Sequence, residues 1–332
     1  MDYELFFQKS GSIQKCLIEP TDALLEFADR VGLRITFFID AGMLCRMEQL
    51  APEQPTLEAD LARVKSHISS IAGAGHEIGL HIHPHWEDTQ FVDAAWDFTS
   101  TRYKLDHFGD DEIGDIVERY TRVLNELCDG NVRAYRAGGF CIEPFGRLRS
   151  SLLRQGITVD SSVVPGLRIE DPDKGVDFTS APDKSWWYFD GSPANPEEAG
   201  EFVEIPVTRQ VLPFSHYWLR ALARILGRQP AAVSGDGMSK AIGRKEVIRR
   251  LTGRGRVSEL SVDAPKASGL NANGIVRSDR RVWHVMGHPK LLGQPSFDAL
   301  EKFIDRKKIQ RFTTVAGIAS VVRARTTGRG EK

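Results

Sequence analysis

Cysteine is scarce in this chain: Cys16, Cys45, Cys128 and Cys141 are the four present, and no two form a C-x-x-C pair. That is too few, too widely spread, for a disulfide framework. No apolar run approaches the roughly 18 residues that a membrane span needs. The opening Met1-Asp2-Tyr3-Glu4 lacks the basic n-region and apolar h-region of a signal peptide. An excess of one charge is also missing, since 44 Lys and Arg meet 45 Asp and Glu for a formal net charge of −1. A surface built wholesale for nucleic acid is thereby excluded. No internal repeat is visible. Together these absences point to a soluble, reduced, cytoplasmic protein.

What is present suits a large folded unit. The 332 residues are 41% hydrophobic and 27% charged, enough to bury a sizeable core in one large barrel or two ordinary domains. Strand-like runs alternate with helical patterns. Glu4–Phe7, Ile35–Ile39, His76–His81, Arg133–Ala137, Ile157–Asp160, Val203–Pro206 and Val282–Met286 read as strands. Helices are expected after Pro20 up to Gly32, and near 58–72, 112–128, 145–155 and 297–307. About seven repeated βα units imply parallel strands and suit a barrel better than an open sheet. The segment 219–256 departs from the pattern, with ten Lys or Arg against two acidic residues, and reads as a basic insertion before the last barrel strand. The expected organisation is a single barrel over 1–325 with a frayed tail at 326–332.

The polar exceptions fall at strand ends, where a barrel carries its reactive groups. They are Asp2 and Glu4, Asp40, His81 to His85, Arg136, Asp160 and His288. The densest is Gly75-His76-Glu77-Ile78-Gly79-Leu80-His81-Ile82-His83-Pro84-His85-Trp86. On an extended strand His81, His83 and His85 share one face; if the chain turns after His81, then His81 and His85 converge instead. Two imidazoles and one carboxylate suit Zn²⁺ and leave a position open for water. His284 reads as a core or rim histidine, Cys141 as packing, and Asp40 as a residue behind the site.

Gly75-His76-Glu77-Ile78-Gly79-x-His81-x-x-x-His85 resembles the second motif of the polysaccharide deacetylases, the NodB-homology group also called carbohydrate esterase family 4. Other pieces fall in that family's order: Ile35–Asp40 resembles its second strand, Tyr135–Phe140 its third motif, Gly156–Val163 its fourth and His284–Pro289 its fifth. The resemblance covers roughly 1–165 and 281–320, and is closest to a subgroup encoded with O-antigen and other surface-polysaccharide genes. It implies an α/β fold, a distorted (β/α)7 barrel of the NodB-homology type. It also implies one divalent metal ion, zinc foremost, held by His81 and His85 with Glu4. Asp2 is then the base and Glu4 the ligand, or the two roles are exchanged. Arg136 holds Asp2, His288 is the catalytic acid, and Asp160 either raises the pKa of His288 or pairs with Arg136. Trp86, His83, Gly138 and Phe140 are the expected substrate contacts. The chain departs from the family in three places. Asp2-Tyr3-Glu4 stands where T-F-D-D-G is usual, Ile82 replaces Ser or Thr, and no proline follows Arg136.

The implied reaction is hydrolysis of an N-acetyl group on a sugar, with a nucleotide- or polyprenyl-linked precursor as the expected substrate. No nucleic-acid partner is expected. Residues 213–228 have helical periodicity, with Arg220, Arg224 and Arg228 at i,i+4 beside Trp218, Leu222 and Ile225. Such a helix can lie on an anionic membrane surface at the inner face, grip a diphosphate, or pack with a solvated basic side. Two rivals stand beside this reading. One is an amidohydrolase- or phosphoesterase-type hydrolase using His81-x-His83, the other a non-catalytic sugar-binding relative.

Overall fold

A computed structural model describes residues 1–98, 102–171, 173–212, 215–218, 222, 233–239, 244–252, 256–271 and 282–327. Strand β1 (Asp2–Tyr3) is followed by helix α1 (Glu19–Val31), strand β2 (Thr36–Asp40), and helices α2 (Ala41–Leu50) and α3 (Pro55–Gly73). Then come β3 (Glu77–Ile82), α4 (Asp110–Asn125), β4 (Ala134–Ala137), α5 (Gly146–Arg154), β5 (Val159–Asp160), β6 (Trp187–Phe189) and β7 (Phe202–Glu204). An antiparallel pair, β8 (Arg209–Leu212) and β9 (Arg256–Glu259), brackets α6 (Arg244–Thr252); α7 (Gln294–Lys307) and α8 (Val315–Thr327) close the chain.

Strands β1 to β7 form one sheet in the order β1-β2-β3-β4-β5-β7-β6, parallel throughout except for β6 against β7. Every residue of β2 is buried, as a parallel strand covered on both faces requires. Phe37 and Ile39 face the main core, which α1 to α5 cover, while Phe38 faces a second cluster that α8 supplies through Val315, Ala319 and Val322. Helix α8 is fastened at its N-terminus by the sheet itself. The Val315 N–H donates to Thr36 Oγ1 at 2.9 Å, and the Ala316 N–H reaches the Glu77 carboxylate at 3.2 Å. An anionic group at a helix start offsets the unpaired N–H groups there.

Two expected strands come out differently. Pairing at the start of the chain falls on Asp2 and Tyr3, opposite Phe38 and Ile39, rather than on Glu4–Phe7. Lys290 Nζ binds both Glu4 Oε1 (2.8 Å) and the Leu5 carbonyl (2.6 Å), and this draws the backbone out of the ladder. The run Val282–Met286 is extended chain with a single bridge, Ser261 to Met286. It is tied in by separate bonds: Thr208 N–H to His284 O (3.0 Å), Met286 N–H to Leu260 O (3.0 Å) and Asp2 N–H to Gly287 O (2.8 Å). The expected barrel is thus, in its regular strands, a seven-stranded sheet with edges β1 and β6, and the segment 284–287 lies along the β1 edge. Among the described residues no helix is long and apolar enough to cross a membrane.

The ladder β8–β9 brings the two ends of the basic segment together, with Arg209 opposite Glu259 and Leu212 opposite Arg256. Within that segment Trp218 is 53% exposed and its indole N–H donates to Leu251 O. Arg220, Arg224 and Arg228, on which the membrane and diphosphate readings rest, lie outside the described residues, as do 328–332 of the expected tail.

The Glu77 contact yields a test. Replacing Glu77 by Ala leaves the start of α8 without its carboxylate, and stability should fall by about 1–2 kcal/mol. In urea titration this is expected as a lower midpoint with an unchanged slope.

Candidate active site

Parallel register brings the polar strand ends to one level. Asp40 on β2 pairs with His81 on β3, and His81 with Arg136 on β4. Asp2 arrives from β1 and Glu4 from the chain just after it, with His288 and Lys290 from the segment that runs beside β1. His83 keeps an extended backbone (φ −109°, ψ 95°), so strand alternation continues past Ile82 and points His81 and His83 to the same side. Pro84 then starts a short 3₁₀ turn, Pro84–Glu87, which carries His85 off that line. Gly138 has to be glycine: a Cβ there would lie 2.6 Å from both His83 Nδ1 and the Ile82 carbonyl oxygen.

The result is a buried group of Glu4, His81 and His83 whose ligand atoms lie within 4.8 Å of one another. His81 Nδ1 is 2.8 Å from the Arg136 carbonyl, which only accepts, so that nitrogen carries the hydrogen and Nε2 presents its lone pair. Nε2 faces Glu4 Oε2 at 3.1 Å, and His83 Nε2 lies 2.7 Å from the same oxygen. A lone pair meeting a carboxylate at that distance needs a cation between them, either a proton or a metal ion. Glu4 Oε1 is held by Lys290, which leaves Oε2 for the histidines. Three further imidazole nitrogens, His83 Nδ1 and both of His85, are buried without a hydrogen-bond partner. Two imidazole nitrogens and a carboxylate oxygen that converge in a buried space form a donor set that fits a divalent ion.

Beside this group stand two buried ion pairs. Arg136, with no exposed surface, donates from Nη1 to Asp2 Oδ1 at 2.6 Å. Its Nε reaches the Ser161 carbonyl and Nη2 reaches Ser161 Oγ, each at 2.9 Å, and the guanidinium lies 4.2 Å over the Phe38 ring. Burial by itself raises the Asp2 carboxyl, but Arg136, His81 and His288 outweigh it and hold Asp2 below the ordinary carboxylate range. His288 is the second pair: its backbone N–H and Nδ1 both donate to Asp263, at 2.8 and 2.9 Å. Burial opposes the charge on this imidazole, and Asp263, with Glu4 and Asp2, overcomes that and raises its pKa. His288 Nε2 faces Glu4 Oε1 at 3.7 Å and Asp2 Oδ2 at 3.9 Å, and its side chain is 19% exposed where those of Asp2 and Glu4 are nearly closed off.

The expected residues therefore divide. Asp2, Glu4, His81, Arg136 and His288 come together. His83, expected at the substrate, joins Glu4 and His81 in place of His85, because the Pro84 turn stacks the His85 ring on Trp86 and Tyr103. Trp86 is fully buried and donates its indole N–H to Asp40 Oδ2 at 2.6 Å, so it supports the site from behind and offers no face to a substrate. Phe140 is half-buried in the loop after β4 at φ +63°, and Gly138 seats His83. Asp160 touches neither Arg136 nor His288; it accepts from Ser162 Oγ (2.8 Å) and Ser162 N–H (3.1 Å) and sits opposite Glu204. Asp40 is pushed up to about 8, chiefly by burial. The Cys141 thiol is raised by burial to about 11, in keeping with packing.

Asp263, Lys290 and His284 also reach this group, which their places in the sequence do not show. Asp263 follows Val257–Val262 just after the basic segment, and nothing in that run marks it. Lys290 stands two places beyond His288. His284 accepts from Arg136 Nη2 at 2.9 Å through Nε2, while its Nδ1 lies 3.2 Å from the Ile205 carbonyl, so the rim histidine is one of the groups that aim Arg136.

No protein-family model matches the sequence, and no curated protein matches it. Among solved structures the chain is similar to a protein described as a polysaccharide deacetylase from Mycobacterium smegmatis, at 20% identity and a TM-score of 0.44, over 93% of this chain and 78% of that one. It is also similar to the family 4 carbohydrate esterase from Streptomyces lividans, solved with acetate, at 13% identity and a TM-score of 0.35, over 87% and 83% of the two chains. A family 4 carbohydrate-esterase pseudoenzyme from Bacillus anthracis shares 12% identity at a TM-score of 0.36, over 89% of this chain and 58% of its own.

The ligand geometry can be checked directly. By calorimetric titration with Zn²⁺, His81→Ala and His83→Ala should each weaken binding at least tenfold, and His85→Ala by less. A large loss with His85→Ala and none with His83→Ala would restore the H-x-x-x-H pair.

Proposed function

We propose that this protein is a metal-dependent hydrolase that removes an N-acetyl or similar N-acyl group from a sugar. The observation that carries this reading is the meeting of Glu4, His81 and His83 with an acid and an imidazole that each have their own buried counterion, Arg136 for Asp2 and Asp263 for His288. A divalent ion, zinc matching the His/His/carboxylate donors best, would supply Lewis acidity toward the carbonyl and lower the pKa of water at the site when bound.

The protein's own groups supply the proton transfers. Asp2, kept ionised by Arg136, takes a proton from the attacking water. His288 delivers one from Nε2 to the departing amine, and the products are a free amino sugar and acetate. An imidazole fits that step because its ordinary pKa near 6.5 lets it hold and release a proton within the physiological range. Asp263 keeps Nδ1–H in place and favours the charged ring before transfer. Asp160 supports from below through Ser162, whose Oγ accepts the Ala137 N–H. His85 backs His83, and Phe140 forms part of the groove wall. A nucleotide- or polyprenyl-linked sugar of surface-polysaccharide synthesis fits the ten cations of the 219–256 segment. The barrel of the NodB-homology group, extending over 1–325, is the architecture that accompanies this reading.

One observation favours a second reading. The two histidines that converge on Glu4 are spaced H-x-H, the pattern of amidohydrolase- and phosphoesterase-type sites. Substrate decides between them: acetate release from N-acetylated sugars supports the deacetylase, and phosphate release from an aryl phosphate with no acetate release would replace it. Metal-loaded protein that binds such sugars but turns over neither would be a sugar-binding relative.

For the zinc-loaded protein, Asp2→Asn and His288→Asn should each lower acetate release by about 10²–10⁴, and a chelator should abolish it. Asp263→Asn removes the counterion that raises His288, so the acid form is lost earlier as pH rises. The alkaline limb of the rate profile should then move to lower pH, and an unmoved limb would separate Asp263 from the proton transfer.

A further inference from the structure

A cavity of about 630 Å³ opens at the N-terminal ends of β1 and β2, where Met1 and Thr36 line it. Of the groups gathered around Glu4 only His284 reaches its wall, so it is separate from the metal ligands. Small-ligand sites usually span about 300–1,000 Å³ with mostly apolar walls and a few placed polar groups. This cavity has both features. Trp283, Phe303, Ile304, Phe312 and Ile318 form an apolar wall between α7, α8 and the extended 282–285 segment. Arg34, Lys307, Lys308 and Arg311, all exposed, belong to its lining, and among the described residues no Asp or Glu does. Lys307 Nζ lies 4.5 Å over the Trp283 ring, which ties one of these cations to the apolar wall. Four cations on the lining of one cavity, with no carboxylate among the described lining residues, make its mouth electropositive and favour an anion there.

We propose that this cavity binds a single apolar chain carrying one anionic head group, a carboxylate or a phosphate monoester. The chain would lie along the apolar wall, with the head group among Arg34, Lys307, Lys308 and Arg311. Guanidinium and ammonium groups bind both head groups through charge-assisted hydrogen bonds.

The full chain is titrated with tetradecanoate, dodecyl phosphate and uncharged dodecanol, each below its micelle concentration, by calorimetry and tryptophan fluorescence. Saturable one-to-one binding of an anionic probe is expected, with dodecanol at least about tenfold weaker. The side chains at the opening are exposed, so Lys307→Gln/Lys308→Gln/Arg311→Gln should fold normally, shown by an unchanged melting temperature, and weaken the anion at least about tenfold. Trp283→Phe should remove the fluorescence change while calorimetric binding persists. The stronger of the two head groups identifies the ligand's class. Absent saturable binding, equal affinity for dodecanol, or unchanged affinity in the triple variant would each overturn the proposal. So would loss of binding on adding a chelator, which would move the ligand to the metal donors.

Discussion

The site depends on ionised groups being buried together. Arg136 has no exposed surface, and Asp2, Glu4, Asp263 and Lys290 are almost as enclosed. A lone charge in such surroundings costs many kcal/mol, whereas one that is paired and fully hydrogen-bonded is tolerated. Each of these groups has its partner on a distant part of the chain: Asp2 with Arg136, Glu4 with Lys290, Asp263 with His288. The first strand, the fourth strand and the segment after residue 287 cannot separate without exposing unpaired charges to an apolar interior. The same pairing that closes the fold fixes where Asp2 and His288 point.

This arrangement also sets which nitrogen does what. Backbone carbonyls take the Nδ1 hydrogens of His81 and His284, so the Nε2 atoms face inward with lone pairs. His288 is the opposite case. Its Nδ1 donates to a carboxylate, which stabilises the charged ring, and its Nε2 lies in the more open part of the site. Three histidines of one sequence thus present different groups to the site, a lone pair from His81 and from His284 and a charged ring from His288, because their Nδ1 atoms meet different partners.

Much of this was legible beforehand. The strands over 36–40 and 77–82 and the helices over 19–31 and 110–125 follow from apolar runs and 3.6-residue spacing, and the structure has them within a few residues. Helix α2 was not visible, because it follows β2 directly with no break in apolar character between Ile39 and Leu44. Nor was α8, which has a weakly amphipathic sequence and rests on a cap supplied by Thr36 and Glu77, far away in the chain. Asp263 and Lys290 could be read as ordinary surface charges, since nothing local marks an acid or a lysine as the partner of a histidine or a glutamate elsewhere.

The sequence by itself determined the alternation of strands and helices, the polar residues at the strand ends, and the histidine run that could ligate an ion. Those are properties of local pattern, which periodicity and side-chain chemistry reveal. Which two histidines face Glu4, which carboxylate holds His288, and whether the sheet edges join were decided by the tertiary structure alone. A turn at Pro84, a lysine drawing Glu4 out of its ladder and an acid arriving from residue 263 act across long stretches of chain. Burial makes such distant pairs compulsory, yet it leaves no mark on the neighbours in sequence.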